Sequence, residues 1–145
     1  MENLYAAAYL IARLAHKGQT DKAGVDYFNH PLAVSSYCQS DLGKICGLLH
    51  DVLEDTDVTD EELRAIFGDE ITDILELLNH EKGTDYFEYL KKVKTNPYAL
   101  EVKKADLKHN SDPQRLSVLP LETQERLKKK YDLAKAYLNQ KEINS

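Results

Sequence analysis

The sequence predicts an all-α fold. Three observations carry this reading. Apolar residues recur at helical spacing along most of the chain, no segment alternates apolar and polar with a period of two, and helix start and stop residues punctuate the periodic stretches. At 145 residues, 42% apolar and 30% charged, the chain suits one domain over residues 1–145 with a real core.

The elements follow in order. Asn3 to Lys17 is rich in alanine and leucine at helical spacing, and Gly18 stops it. Residues 18–29, GQTDKAGVDYFN, form a polar loop. His30–Pro31 opens a second helix that runs to about Gln39, with proline in a first-turn position. Asp41 caps a third, apolar on several sides through Leu42, Ile45, Cys46, Leu48, Leu49, Val52 and Leu53, hence central and buried. Thr59 or Asp60 starts a fourth, Thr59 and Glu62 fit a capping box, and Gly68 ends it. Asp69 begins a fifth, through Leu78, and a sixth covers about Asp85 to Lys94. Pro97 begins a seventh, which carries Val102, Ala105 and Asp106. SDPQRLSVLP, residues 111–120, reads as a loop with two prolines. Glu122 to Leu138 is a last amphipathic helix, with Lys128, Lys129, Lys130 and Lys135 on a solvated face.

Composition narrows the function. A net charge of −6 argues against a general nucleic-acid binder, which needs a basic face, and leaves room for a local basic pocket for a small anion. No apolar run approaches the roughly 20 residues of a membrane helix. The N-terminal stretch MENLYAAAYLIARLAHKG lacks the basic start and continuous apolar core of a signal peptide, so no membrane partner is expected. Cys38 and Cys46 lie in apolar helical stretches and form no CxxC, as reduced core residues of a cytoplasmic protein do.

The stretch LLHDVLEDT, Leu48 to Thr56, places His50, Asp51, Glu54 and Asp55 at the end of an apolar helix. Buried acids need compensation. Adjacent helical residues lie about 100° apart, so His50 and Asp51 can approach one ion from one side of the axis. Glu54 and Asp55 follow them by one turn each. Imidazole with carboxylate suits a first-row divalent ion such as Mn²⁺, Fe²⁺ or Zn²⁺. Two ligands are too few, and the candidates for the others are His30 and Asp106. Taken alone, a His–Asp pair is an ordinary satisfied pair and an acidic run a solvated helix end. The joint order shifts the weight to a metal: a histidine before proline, His–Asp closing an apolar helix, and an aspartate inside a later helix.

In that order AHKGQTDKAGVDYFNHP, LLHDVLEDT, FGDEI and KKADLKHN resemble the hydrolase domain of the RelA/SpoT-type alarmone enzymes and their small single-domain relatives. These form a branch of the HD superfamily of metal-dependent phosphohydrolases. The resemblance runs from about Tyr5 to the last helix. It implies an HD-type helical bundle, one bound Mn²⁺, and removal of pyrophosphate from the 3′ position of guanosine tetra- or pentaphosphate. It implies metal ligation by His30, His50, Asp51 and Asp106. It implies positioning and activation of water by Glu54 and Asp55. Lys22 falls in the basic loop that meets phosphate in the family, and Asn110 matches a residue lining the nucleotide site.

Two positions depart from the pattern. Asp21 stands where an arginine usually precedes the lysine, and Leu107 replaces the usual arginine after Asp106. Lys108 lies on a different helix face from Leu107. The metal ligands are intact, but the departures predict weak binding of the tetraphosphate, restored by Asp21→Arg, and they keep a different phosphorylated nucleotide open. A nucleotide-sensing module and a purely structural helical domain are the remaining alternatives, and retention of both Glu54 and Asp55 argues against a sensor. Length leaves no room for a nucleotide-synthesising domain. His16 reads as a helix-end hydrogen-bonding residue and His80 as a helix C-terminal residue favoured by the dipole. His109 reads as structural or adjacent to the ligands. Tyr27 either packs on a base or fills the core.

Overall fold

Ser40, Thr59, Asp85, Asn96 and Asp112 each start a helix by accepting a backbone N–H of its first turn. The computed structural model describes residues 2–140. Among these residues nine helices succeed one another. They are α1 (Glu2–Ala15), α2 (Asn29–Tyr37), α3 (Asp41–Leu49), α4 (Val52–Asp55), α5 (Asp60–Leu78), α6 (Tyr86–Val93), α7 (Pro97–Asn110), α8 (Pro113–Leu116) and α9 (Leu121–Asn139). The extended backbone pairing among them is a single bridge, Thr20 to Asp26, which closes the loop before α2. No helix among the described residues is long and apolar enough to cross a membrane.

The all-α expectation holds, with three local corrections. Ser40, not Asp41, caps α3, and its hydroxyl accepts from the Gly43 N–H. The third helix does not run on to Leu53. It stops at Leu49, and the chain restarts as α4 after Asp51, whose φ of −99° and ψ of 0° are not helical. Gly68 breaks the helical backbone within α5, as the expected stop there and restart at Asp69 require, and the two stretches meet across a kink. The φ of 85° and ψ of 179° at Gly68 lie in a region that only glycine enters cheaply. The segment 111–120 holds a helical turn, α8, for which Pro113 is a suitable first residue because its missing N–H costs nothing there.

The expected capping box at Thr59 and Glu62 and the Pro97 start of α7 are both present. Ile45, Leu48 and Leu49 of α3 meet Leu63, Ile74 and Leu75 of α5 and Val102 and Leu107 of α7 in one buried core. Helix α7 packs on α2, α3, α5 and α9 and forms its centre.

Two features place the site. The connection from α2 to α3 is short, so the two helices form an antiparallel hairpin, with the start of α2 beside the end of α3. The hairpin is tight: a Cβ on Gly47 would lie 3.0 Å from the Ser35 backbone, and the Ser35 hydroxyl donates to the Lys44 carbonyl at 2.7 Å. From α7, Glu101 accepts from the N–H groups of Gln39 and Ser40 at 2.9 and 3.2 Å. That anchors the hairpin turn to α7 and fixes the depth at which α7 carries its own polar residues.

Candidate active site

His30 lies in the first turn of α2, His50 closes α3, Asp51 precedes α4, and Asp106 comes from α7. The fold brings all four together. Asp106 Oδ1 lies 2.8 Å from His30 Nε2 and 3.3 Å from His50 Nε2. Asp51 Oδ2 lies 3.1 Å from His50 Nε2 and 3.8 Å from His30 Nε2. Neighbouring ligands of a first-row ion, each about 2.1 Å from it, sit about 3.0–3.5 Å apart, close to this spacing.

The chemistry of the donors decides whether a cation fits. His50 Nδ1 is 2.6 Å from the Gly47 carbonyl, which only accepts, so Nδ1 carries the proton and Nε2 presents a lone pair. That Nε2 is buried without a hydrogen-bond partner. It faces two carboxylate oxygens, and acceptor against acceptors is unfavourable unless positive charge lies between them. Burial disfavours a charged ring, yet Asp51 and Asp106 drive the His50 pKa well above its ordinary value. The site therefore demands a cation at that point, and a proton or a divalent metal can meet the demand. Histidine and carboxylate together suit a first-row ion.

Around the cluster, side chains hold the acids in place. The Tyr27 hydroxyl donates to Asp51 Oδ2 at 2.6 Å. Lys103 donates to Asp106 Oδ2 at 2.9 Å, and Asn110 donates to Asp106 Oδ1 at 3.1 Å. Burial alone would raise the Asp106 carboxyl, but Lys103 and the two histidines hold it well below the usual carboxylate range. Asn110 thus meets a candidate ligand directly, besides lining the cleft. Asp51, Glu54 and Asp55 form an adjoining carboxylate group with oxygens within 4.8 Å of one another. The Asp55 N–H still donates to the Asp51 carbonyl at 2.9 Å, so their one-turn relation survives the break before α4. Burial raises the pKa of both Glu54 and Asp55, followed by repulsion from Asp55 and Asp51 at Glu54 and from Asp51 at Asp55.

These residues line a cleft of about 720 Å³. Six carboxylates face it (Asp21, Asp51, Glu54, Asp55, Asp106, Asp112) against four cations (Lys22, Lys103, Arg115, Lys130). Lys22 is exposed at its rim. Lys130 is exposed, as the solvated lysine face requires, and also borders the cleft with its ammonium 4.8 Å from the centre of the Tyr86 ring. Lys135 departs from that reading, half-buried and donating to the Ser111 hydroxyl at 2.6 Å.

Asp21 is not the uncompensated acid that the sequence suggests. Its Oδ1 accepts the N–H groups of Ala23 and Val25 at 2.9 and 3.0 Å. Its Oδ2 lies 3.9 Å from the Arg115 guanidinium. Leu107, where the family pattern has arginine, is buried in the core.

The other expectations resolve individually. His16 is fully buried and pairs with Gln19 through Nδ1 at 2.9 Å. His80 lies 2.7 Å from the Thr84 carbonyl and stacks on Tyr89, tying the turn after α5 instead of serving the helix end. His109 stacks on His30, with Nδ1 2.7 Å from the His30 Nδ1. Burial and the neighbouring Arg115 lower its pKa to about 4. Tyr27 packs against His16 and His30 while its hydroxyl serves Asp51.

Sequence reasoning missed Lys103 and Arg115 as site residues. Lys103 was findable, since it precedes Asp106 by three residues and shares its helix face. Arg115 carried no local signal.

The HD domain family profile matches residues 7–115. A guanosine-3′,5′-bis(diphosphate) 3′-pyrophosphohydrolase of Vibrio cholerae is 42% identical over 73 residues, 48% of this chain and 10% of that protein. The bifunctional (p)ppGpp synthase/hydrolase SpoT of Escherichia coli is 40% identical over 73 residues, with the same shares. A GTP pyrophosphokinase of Streptomyces coelicolor is 44% identical over 70 residues, 45% of this chain and 8% of that one. The matches thus span about a tenth of the length of these relatives. The solved structure of a metazoan ortholog of SpoT, described as hydrolysing ppGpp, superposes with a TM-score of 0.78 at 21% identity. The superposition covers 94% of this chain and 85% of that one and is a likeness of fold.

Proposed function

The chain belongs to the HD domain family, and from that premise we propose that it is a metal-dependent phosphohydrolase that removes pyrophosphate from the 3′ position of a guanosine tetra- or pentaphosphate. The observation that carries the proposal is the buried Nε2 of His50, turned without a partner onto Asp51 and Asp106, with Glu54 and Asp55 in the same cleft. The names of the relatives, guanosine-3′,5′-bis(diphosphate) 3′-pyrophosphohydrolases among them, supply the substrate.

In this reading His30, His50, Asp51 and Asp106 hold one divalent ion, with Mn²⁺ the first to test. When bound, such an ion supplies Lewis acidity and charge neutralisation to a phosphoryl group. Glu54 and Asp55 orient the attacking water and take its proton, and their raised pKa values make each a stronger base than an exposed carboxylate. Lys103 keeps Asp106 ionised, and Tyr27 fixes the Asp51 carboxylate. Lys22 meets phosphate at the cleft rim, and Asn110 keeps Asp106 turned towards the histidines. Buried, unpaired Cys38 and Cys46 fit a reducing compartment, the cytoplasm.

The test is release of phosphate and pyrophosphate from a panel of nucleotides by protein loaded with Mn²⁺. Guanosine tetraphosphate stands in the panel beside 3′-phosphorylated nucleotides of other bases, since Leu107 brings no charge to the site. The expected result is metal-dependent pyrophosphate release from the tetraphosphate. Absence of turnover for every nucleotide by the metal-loaded protein would refute the proposal.

A further inference from the structure

The four cleft cations are not equivalent. Lys103 is committed to Asp106, and Lys130 rests on the Tyr86 ring. Arg115 is held differently. Its Nη1 lies 2.5 Å from His109 Nδ1 and 3.1 Å from His30 Nδ1. Its nearest carboxylate, Asp21, is 3.9 Å from Nη2, too far for a hydrogen bond. Among the described residues the donors on Nη2 and Nε therefore have no hydrogen-bond acceptor, although the side chain is only 26% exposed.

Asp21 cannot close that gap freely, because two N–H groups of its own turn hold Oδ1. The contact with His30 also competes with metal binding. An imidazole that ligates through Nε2 carries its proton on Nδ1 and cannot accept from Arg115. The result is a steered guanidinium whose hydrogen-bonding fork is open to the cleft, the arrangement that bidentate phosphate recognition uses. Burial, then Lys103 and Arg126, lower the Lys130 pKa, with Lys22 the smallest contribution, and both Lys22 and Lys130 line the cleft. Clustered cations of this kind suit an anion between them.

We infer that Arg115 anchors a phosphate group of the substrate other than the one that reacts, and that Asp21 holds the guanidinium in place for it. Geometry separates the two phosphates. Arg115 meets His30 at Nδ1, whereas Nε2, on the opposite edge of the ring, faces Asp106 and Asp51. The ligand class is a nucleotide phosphorylated at two positions. The inference rests on the phosphohydrolase reading above.

Guanosine 5′-diphosphate, which has no 3′ phosphate to lose, separates this inference from that reading. Its binding to Mn²⁺-loaded protein is measured by titration calorimetry beside uncharged guanosine, and metal content is measured in every variant. Arg115→Ala is expected to weaken the diphosphate by roughly 10- to 100-fold, the loss of charge-assisted hydrogen bonds, and to leave guanosine binding and metal content unchanged. Arg115→Lys recovers part of the loss, since it keeps the charge without the fork. Asp21→Asn weakens the diphosphate as well.

Three results overturn the inference: no binding of the diphosphate by the wild type, unchanged binding in Arg115→Ala, or a loss that merely tracks lost metal. Tighter binding in Asp21→Asn refutes the role given to Asp21. Loss of diphosphate binding in Arg115→Ala, in a protein that hydrolyses no nucleotide, refutes the proposed reaction and leaves the subsite standing.

Discussion

Tyr27→Phe removes one oxygen from the site and nothing else. The ring stays packed against His16, 4.9 Å away between centroids, and edge-on to His30 at 6.0 Å, so no cavity opens. What is lost is the 2.6 Å hydrogen bond to Asp51 Oδ2. A hydrogen bond to an ionised acceptor contributes about 1.5–3 kcal/mol. That oxygen is the one facing both histidines, at 3.1 and 3.8 Å, so the loss falls on the orientation of a candidate ligand. Support of this kind around metal ligands is worth about 10- to 100-fold in metal affinity. Mn²⁺ titration of metal-stripped protein should show that loss in Tyr27→Phe. Thermal melts of the stripped proteins separate it from a folding defect. Unchanged affinity would mean that Asp51 needs no support from Tyr27. Tighter affinity would mean that the hydroxyl competes with the ion for the same oxygen.

Glu54→Gln and Asp55→Asn should each lower turnover by about 10²- to 10⁴-fold while the metal stays bound. Elemental analysis of folded variants checks the division, and loss of metal would move the residue into the ligand set. Glu101 probes the fold away from the chemistry. Burial tends to raise its carboxyl, but hydrogen bonds from the Ser40 hydroxyl and the Gln39 and Ser40 N–H groups hold it below the ordinary value of about 4.5. It therefore contributes stability that is present above that pH and lost as pH falls through the lowered value. Glu101→Gln should cost about 1–2 kcal/mol in urea unfolding at neutral pH and visibly less in acid, whereas equal costs at both pH values would contradict the linkage. At Gly68, whose backbone lies at φ 85° with open space around it, substitution by alanine should cost about 1–3 kcal/mol of stability from backbone strain alone. An unchanged melting temperature would show that α5 relaxes around the bend.

The parts of the site that sequence reveals are those whose residue types conflict with their surroundings. His50 and Asp51 close an apolar helix, and Asp106 sits among apolar neighbours, so each draws attention where it stands. The break between α3 and α4 had no such mark, because neither glycine nor proline occurs at residues 50–51. Its partners are tertiary or local to the folded state: His50 turns back onto the Gly47 carbonyl, and Asp51 is held by Tyr27, 24 residues earlier. Segment 111–120 shows how one residue supports opposite readings. Pro113 suggests a loop by composition, yet it is well placed as the first residue of α8, and that turn delivers Arg115 to the cleft. In α9 three consecutive exposed lysines look alike, and only the tertiary fold shows that Lys130 borders the cleft. The sign of the field at Asp21 was unreadable for a different reason, since its compensating charge lies 94 positions away.

The acids at the centre of the fold are only partly neutralised by the chain itself. Lys103 is spent on Asp106 Oδ2, leaving Oδ1 turned towards both histidines. Tyr27 and Asn110 donate hydrogen bonds but bring no charge. Among the described residues that line the cleft, six carboxylates outnumber four cations, so net negative charge is left over. A protonated His50 would offset part of it. That proton would sit on the nitrogen between Asp51 and Asp106 and occupy the position a metal ion needs. In the proposed reading metal and proton compete for one atom, so metal binding is expected to weaken as the solution becomes more acidic. Each further carboxylate brought to the cleft strengthens the pull for both, and only the metal also offers Lewis acidity to a phosphoryl group. In the proposed reading the four residues suffice to hold the ion, and Glu54 and Asp55 are left to position and activate the attacking water.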